Sequence, residues 1–154
     1  MILDAGPLLY LLLHNYDKFT DLDVYNRVDK VAKQEFNEKN SEIFVQRLSG
    51  KSLFITPRIL AECSNLAESK NIKLGEFIEM NDKFLRKSVS EEYQNKGSIL
   101  STQFGLNFGI TDCSIAELVN SDNYSVISTD GDFISELGNN GFNAIPLGTY
   151  FLEV

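Results

Sequence analysis

The chain has 154 residues, which suffice for one domain with a sizeable core and are too few for two ordinary domains. Hydrophobic residues make up 43% and charged residues 23%, a composition that excludes an intrinsically disordered protein. The formal net charge of −8 excludes a basic surface as the main source of any affinity for nucleic acid. Cys63 and Cys113 are too few for a disulfide framework or a zinc site, so we expect buried thiols and a reducing cytoplasm.

A short strand and an apolar helix are predicted at the amino-terminal end. The apolar run Met1–Leu3 ends at Asp4, and Pro7 is a typical first helical residue. The run Leu8–Leu13 is much shorter than the roughly 20 residues of a membrane span, and neither a basic segment nor a small-residue cleavage site marks a secretory signal. It therefore predicts a helix that is buried in the core or in a homodimer interface, and no membrane segment.

Helices and a second strand are predicted next. Two consecutive helices are expected between Asp23 and Leu48, and Leu53–Ile55 reads as a strand. Thr56 is a good helix N-cap, and Pro57 is a good first helical residue. The helix that follows carries an apolar stripe formed by Ile59, Leu60, Cys63, Leu66 and Ala67.

The second half of the chain continues the alternation of helical and short apolar segments. In chain order we predict helices over about Leu74–Leu85, Glu91–Phe104 and Cys113–Asn120, a strand over Tyr124–Ser128, a short helix ending near Gly138, and a last strand over Asn143–Pro146. Phe77, Ile78 and Phe84 are expected on the apolar face of the first of these helices, and Pro146 indicates an edge strand. This alternation is typical of βα units, so the sequence predicts an α/β domain with a parallel sheet.

Four acidic residues lie after predicted strands or near the starts of predicted helices: Asp4, Glu62, Asp112 and Asp130. Because the carboxyl ends of parallel strands face one way and ligands bind in the crevice there, these acids can meet at one edge of the sheet. Mg²⁺ and Mn²⁺ prefer carboxylate oxygens, whereas clustered carboxylates without a cation repel each other. The pattern therefore predicts a divalent-cation site, suited to in-line attack on a phosphodiester, and bound cations would offset much of the negative charge.

Each acid also has a second interpretation. Asp4, Asp112 and Asp130 are all typical helix caps. Glu62 is a candidate for a solvated helix residue, although its position beside the apolar stripe borders buried surface. Asp132 is either a fifth, weaker metal ligand or the N-cap of the next helix, and the N-cap is favoured.

Four segments around these acids resemble the PIN-domain family. They occur in the family's order and span nearly the whole chain: Met1–Leu9, Thr56–Glu62, Gly109–Ala116 and Val126–Phe133. The resemblance implies a three-layer α/β/α sandwich with a central parallel sheet and Mg²⁺- or Mn²⁺-dependent cleavage of RNA, as in VapC-like toxin ribonucleases. It further implies that the four acids are catalytic metal ligands, that Thr129 orients Asp130 or a water, and that Thr111 is a weaker candidate for a similar role.

Two features depart from compact, toxin-like members of that family. The stretch between Asp4 and Glu62 is longer, so the predicted helices at about 20–50 form an enlarged insertion. The segment Ala5-Gly6-Pro7 lacks the small hydroxyl residue that commonly follows the first acid. Both features concern the predicted role of the chain as a toxin with an antitoxin partner. They concern the predicted fold less.

Candidate contacts to nucleic-acid phosphates are few. Arg58 begins the helix beside the expected site, and the scattered basic residues elsewhere are Lys51, Lys83, Arg86, Lys87 and Lys96. The one histidine, His14, is expected at a helix end without a catalytic role. We therefore expect a modest, metal-dependent affinity for RNA, with DNA as the other candidate substrate.

Two other functions compete with the nuclease. A haloacid-dehalogenase-type phosphatase also has an Asp after its first strand, but it normally needs another Asp two residues later, where this chain has Gly6. A PIN-like scaffold that binds RNA or a protein partner without cutting is the stronger alternative. The intact set of acids favours the enzyme, and Mn²⁺ binding would separate the two.

Overall fold

The computed structural model describes residues 1–20, 38–69, 72, 74–101 and 108–151. Its strands are β1 (Ile2–Leu3), β2 (Leu53–Ile55), β3 (Val89–Glu91), β4 (Val126–Ser128) and β5 (Ala144–Pro146). Its helices are α1 (Ala5–Thr20), α2 (Glu38–Leu48), α3 (Pro57–Ser69), α4 (Leu74–Ser88), α5 (Lys96–Leu100), α6 (Ile110–Asp122) and α7 (Gly131–Asn139), followed by a 3₁₀ helix over Leu147–Phe151. The first of the two helices predicted between Asp23 and Leu48 lies outside the described residues, and the second is α2.

The five strands form one parallel sheet in the order β3-β2-β1-β4-β5. Because parallel crossovers are right-handed, the helices that follow β1 and β2 cover one face and those between β3 and β5 cover the other. In agreement, α1 packs against α2, α3 and α4, whereas α5 packs against α6. The predicted α/β fold with a central parallel sheet is confirmed, and Pro146 lies on an edge strand as predicted.

The chain changes its direction across the sheet between β1 and β4. After β1 it continues outward to β2 and β3, and it then returns to the other side to form β4 and β5. The connections that leave β1 and β4 therefore diverge toward opposite faces, and this arrangement opens a crevice at the carboxyl ends of the two strands. Leu3 pairs with Ile127, so the next residues, Asp4 and Ser128, lie side by side at that crevice.

Helix α1 supplies a large part of the core. Its leucines between positions 8 and 13 are all at most 3% exposed. Full burial of such a side chain stabilises the fold by roughly 1.5–3 kcal/mol. Core packing alone thus accounts for this apolar run, and the homodimer stays a prediction. Within the described residues, no helix combines the length and the apolar character that a membrane crossing requires.

The ends of α1 differ from the prediction. The helix begins at Ala5 rather than at Pro7. Pro7 is tolerated there because N–H groups in the first helical turn have no intrahelical partner, and Leu8 donates the first such bond to the Asp4 carbonyl at 2.9 Å. The helix also continues past His14, so the expectation of a helix-end histidine is wrong. The ring Nδ1 of His14 instead lies 2.8 Å from the Ser41 hydroxyl of α2.

The predicted helix over Glu91–Phe104 is wrong in its first part. Val89–Glu91 form edge strand β3, which pairs with β2. Helix α5 begins only at Lys96, because the side chain of Asn95 caps it by accepting the Ser98 N–H at 2.9 Å. Residues 102–107, which include the predicted end of this helix, lie outside the described part of the chain.

The apolar face of α4 also differs in one position. Phe77 is buried as predicted and Phe84 is half-buried, but Ile78 is 46% exposed. The polar Asn81 is fully buried on this helix instead, and its side-chain amide donates hydrogen bonds to the carbonyls of Leu12 and Phe77. Both cysteines are buried and free, as expected.

Candidate metal centre

The four acids come from four separate segments and lie within electrostatic reach of one another around the crevice between β1 and β4. Burial raises the pKa of Asp4; hydrogen bonds from Ser128 and Ala5 oppose this shift, and the carboxylates of Glu62 and Asp130 add to it. Burial, together with the carboxylates of Asp4, Glu62 and Asp130, raises the pKa of Asp112 to about 6, against a hydrogen bond from Gly109. The structure thus brings the predicted acids into one electrostatic neighbourhood.

Asp4 is the most buried and the most firmly held of the four. Its side chain is 9% exposed. Its Oδ1 accepts the Ala5 N–H at 2.7 Å, and its Oδ2 accepts the Ser128 hydroxyl at 2.6 Å. The Ser128 Oγ in turn accepts the Asp130 N–H at 3.0 Å. Ser128 therefore ties the ends of β1 and β4 together and orients the Asp4 carboxylate, a role that sequence analysis did not assign to it.

Asp112 and Asp130 each use one carboxylate oxygen to stabilise a helix start. The Oδ2 of Asp112 accepts the Gly109 N–H at 3.1 Å at the beginning of α6. The Oδ1 of Asp130 accepts the N–H groups of Asp132 and Phe133 at 2.9 and 3.0 Å and caps α7. The second oxygen of each has no hydrogen bond within the described residues. Both acids therefore act as caps, and each keeps one carboxylate oxygen that can bind a cation.

Asp132 does not cap the helix, so the favoured interpretation of this residue is wrong. Asp130 is the N-cap because α7 already begins at Gly131, which puts Asp132 inside the first turn. Asp132 is exposed, and its charge is not among those that raise the pKa of Asp4 or Asp112. Its role as a weaker ligand stays a prediction.

Glu62 and Arg58 lie on α3. Glu62 is exposed, and its carboxylate raises the pKa of the neighbouring buried Cys63, after burial itself, to about 12. Arg58 is half-buried and is not among the charges that shift the pKa of Asp4 or Asp112. Thr56 caps the helix as predicted, since its Oγ1 accepts the Ile59 N–H at 3.2 Å.

A buried pair of hydroxyls joins the helices that carry Glu62 and Asp112. The Oγ1 of Thr56, at the start of α3, lies 3.4 Å from the Oγ of Ser114 in α6, and both side chains are fully buried. Ser114 donates its own proton to the Thr111 carbonyl at 2.7 Å. This contact fixes the two helices, and with them two of the acids, relative to each other.

The two threonines that sequence analysis proposed as supporting residues make no hydrogen bond to the four acids through their hydroxyls within the described residues. Thr111 is half-buried and is engaged through its carbonyl. Thr129 is exposed, and its Oγ1 would lie only 2.6 Å from a Cβ at position 6. A side chain at position 6 would therefore force Thr129 to move, because the Thr129 hydroxyl occupies the space that it would need beside the first turn of α1.

The donor atoms at this site suit a hard divalent cation. They are carboxylate oxygens, and the charged groups that shift the pKa of Asp4 and Asp112 are all acids. Among the described residues, no three His, Cys, Asp or Glu side chains are grouped so that they could hold a metal ion by themselves. Mg²⁺ usually keeps several waters and takes one or two carboxylates together with substrate phosphates. The residues therefore fit an ion held partly by water and substrate rather than one enclosed by protein.

The basic residues considered in the sequence do not surround the acids. Lys51 and Lys87 line a cavity of about 640 Å³ at the amino ends of β2 and β3, the opposite edge of the sheet. Arg86 is paired with Asp82 at 2.6 Å, and Lys83 and Lys96 are not among the charges that shift the pKa of Asp4 or Asp112. Phosphate contacts from these residues stay a prediction.

Neither the protein-family models nor the curated proteins compared with this chain give a match. What characterises the chain is therefore its own geometry: four carboxylates from four segments, one of them buried and held by Ser128, at the point where a parallel sheet reverses its strand order.

Proposed function

We propose that the protein is a divalent-metal-dependent nuclease that hydrolyses phosphodiester bonds in RNA. The observation that carries this proposal is the buried Asp4 carboxylate, held by Ser128 and Ala5 at the same crevice as Asp112. Burial first, and the neighbouring carboxylates second, raise the pKa of both groups. Such an arrangement destabilises the fold in the absence of a cation, and a bound cation removes that cost.

Asp4, Glu62, Asp112 and Asp130 are the residues that would hold Mg²⁺ or Mn²⁺. Asp4 is oriented by two hydrogen bonds before any ion arrives, so less conformational freedom is lost on binding. Asp112 and Asp130 are fixed at helix starts by their capping bonds. When bound, the ion supplies the positive charge that an attacked phosphate needs.

The charge of the site explains why substrate binding would depend on the metal. The acids repel the phosphates of a nucleic acid, and the whole chain carries a net charge of −8. Neutralisation of the crevice by a divalent cation removes this local barrier. Arg58, in the first turn of α3, is the candidate for a direct phosphate contact.

The resemblance to PIN-domain proteins supports RNA as the substrate and hydrolysis inside the strand as the reaction. It also supports a role as the toxin of a toxin–antitoxin pair. A reducing cytoplasm is the proposed compartment, and the buried free cysteines fit it. A homodimer and an antitoxin are the proposed protein partners.

The test compares Asp112→Asn with Asp122→Asn, two changes of the same charge on one helix. Asp122 is the exposed last residue of α6, about 15 Å along the helix from Asp112. With Mn²⁺ and single-stranded or structured RNA, we expect Asp112→Asn to lower the cleavage rate by about 100-fold or more and Asp122→Asn to leave it within about twofold.

Calorimetric titration with Mn²⁺ gives an independent readout of the same site. The wild-type protein and Asp122→Asn should bind the ion, Asp112→Asn should bind it more weakly, and EDTA should stop cleavage. Equal cleavage by the two variants, or a wild-type protein that cleaves in EDTA, would contradict the proposal.

A scaffold that binds RNA or a protein partner without cutting is the second candidate. The observation in its favour is that, within the described residues, no three acidic, histidine or cysteine side chains are grouped so that they could hold a metal ion. If the wild-type protein binds RNA but shows no heat of Mn²⁺ binding, the scaffold replaces the nuclease.

A further inference from the structure

A second, smaller cavity lies beside the acids at the carboxyl edge of the sheet. Its volume is about 350 Å³, and it lies over the ends of β4 and β5. Ser128 and Thr129 form one wall, Ile134 of α7 forms another, and Pro146, Leu147 and Gly148 close it from the β5 side. Ser128 and Pro146 are paired in the sheet, so the floor of the cavity spans two adjacent strands.

The chemistry of this cavity differs from that of the crevice next to it. The residues that line it include no charged side chain, although Asp130 directly follows Thr129 in the chain. Ile134, Pro146 and Leu147 offer apolar surface, and the hydroxyls of Thr129 and Ser135 can donate or accept hydrogen bonds. Such a cavity suits a neutral, flat and partly polar group rather than a phosphate.

The distance to the acids is on the scale of one nucleotide. Ser128 belongs to both places, since it lines the cavity and donates its hydroxyl to Asp4. Adjacent strands are about 4.8 Å apart, so the cavity lies roughly 5–10 Å from the end of β1, which Asp4 follows. A group bound there would be connected to the reacting phosphate by a single sugar.

We propose that this cavity binds the base of the nucleotide next to the phosphate that is cut. The inference rests on the proposed nuclease function and adds a position of base recognition to it. A volume near the lower end of the range for ligand sites matches one base rather than a longer segment. Proteins that recognise single-stranded RNA commonly hold unstacked bases in this way, by apolar contact and a few hydrogen bonds.

The experiment fills the cavity and removes the base in turn. Gly148 lines the cavity, and no heavy atom lies within 4 Å of the position that a Cβ would take there. Because its φ is not positive either, Gly148→Leu should narrow the cavity without straining the backbone. Gly138→Leu is the matched control, because Gly138 is also open, lies in α7 and does not line the cavity. Ser135→Leu narrows the cavity from a second wall.

Each protein is assayed with Mn²⁺ on two short single-stranded RNAs that have one cleavage site, one intact and one with an abasic ribose next to the cut. We expect the wild-type protein and Gly138→Leu to lose at least about 10-fold in kcat/KM on the abasic RNA. Gly148→Leu and Ser135→Leu should cleave the intact RNA as slowly as the abasic one. The melting temperature and Mn²⁺ binding of each variant verify that it is folded.

The outcomes separate this inference from the proposed function. If the wild-type protein cuts both RNAs equally well, the cavity does not bind the base, although the proposed nuclease function stands. A peptide segment of a protein partner would then be the better candidate ligand for the cavity. A wild-type protein without metal-dependent cleavage overturns the nuclease and this inference with it. Loss of base discrimination in Gly138→Leu as well as in Gly148→Leu also overturns the assignment.

Discussion

Both edges of the sheet have a cavity, and they differ in how much the charged groups beside it destabilise the fold. The amino edge has the larger one, about 640 Å³, with Lys51 and Lys87 in its lining. Both lysines are exposed and keep their hydration, so their presence costs the fold little. The carboxyl edge has the smaller one, about 350 Å³, next to Asp4, which is 9% exposed and whose pKa is raised by burial and by the neighbouring carboxylates.

This difference, rather than cavity size, is the reason to place the proposed site at the carboxyl edge. The larger of these two cavities would be the usual first candidate for a binding site, and its lysines would also attract nucleic acid. A buried carboxylate with other carboxylates in its electrostatic surroundings is different, because it lowers stability unless a ligand compensates for it. The better indicator of a ligand site is a group that destabilises the fold and is nevertheless held in place by specific hydrogen bonds.

Among the changes that compare the two edges, the largest effect is expected from Ser128, at the carboxyl end of β4. Ser128→Ala removes the donor to the buried Asp4 Oδ2 and the acceptor of the Asp130 N–H. We expect cleavage to fall by about 10–100-fold, as for other residues that orient metal ligands. Because the lost hydrogen bond lowers the pKa of Asp4, the acid limb of the pH–rate profile should also move to higher pH.

The control lies just before the other end of the same strand. Ser125 is half-buried, and its Oγ accepts a hydrogen bond from the side-chain amide of Asn143 at 2.7 Å. Ser125→Ala therefore also removes one side-chain hydrogen bond, but at the amino edge, and cleavage should stay within about twofold. If both variants lose the same activity or neither shifts the pH profile, Ser128 acts only through stability.

A smaller effect is expected on the stability of the metal-free protein. In the folded state the pKa of Asp112 is about 6, above its usual value of 3.8, because of burial and the neighbouring carboxylates. Between these two pKa values the folded state therefore binds more protons than the unfolded chain. The stability that protonation of Asp112 contributes is complete below about pH 4 and is lost as the pH rises through about 6. After allowance for solvent screening, we expect a loss of about 1 kcal/mol.

Asp112→Asn should remove this pH dependence. In EDTA at neutral pH its melting temperature should exceed that of the wild-type protein by about 2–4 °C. Asn keeps an oxygen that can accept the Gly109 N–H, so the start of α6 should be preserved. Differential scanning calorimetry between pH 4 and pH 7 measures both effects, and a less stable Asp112→Asn at neutral pH would mean that the acids do not repel each other as the geometry indicates.

The sequence predicted the fold best where its signals are local. Strand β2 matches its prediction to the residue because Leu53–Ile55 is apolar and is followed by the cap Thr56 and by Pro57. Strand β3 was missed because its residues, Val89-Ser90-Glu91, are mostly polar and lie at an exposed edge of the sheet. An edge strand of this kind is determined by its pairing with β2 rather than by its own composition.

The candidate site divides in the same way. Asp4, Asp112 and Asp130 could be proposed because each lies at the boundary of a predicted element, and Glu62 because it lies beside the apolar stripe of its helix. Ser128 could not, because its partner Asp4 is 124 positions away and the contact depends on β1 being paired with β4. Nothing in a sequence read residue by residue determines that strand order, and the crevice itself exists only because of it.

The smallest expected effect comes from the amino edge, and it tests the comparison most directly. We expect the double variant Lys51→Gln and Lys87→Gln to change kcat/KM on RNA by less than about twofold. Each phosphate contact to a single strand contributes about 0.7 to the slope of log affinity against log salt concentration. Removal of two such contacts would lower that slope by about 1.4, whereas lysines that only line a solvated cavity leave it unchanged. Affinity measured over a series of salt concentrations distinguishes the two cases, and a lower slope would show that RNA follows the lysine-lined cavity as well as the acidic crevice, so that both edges of the sheet take part in binding.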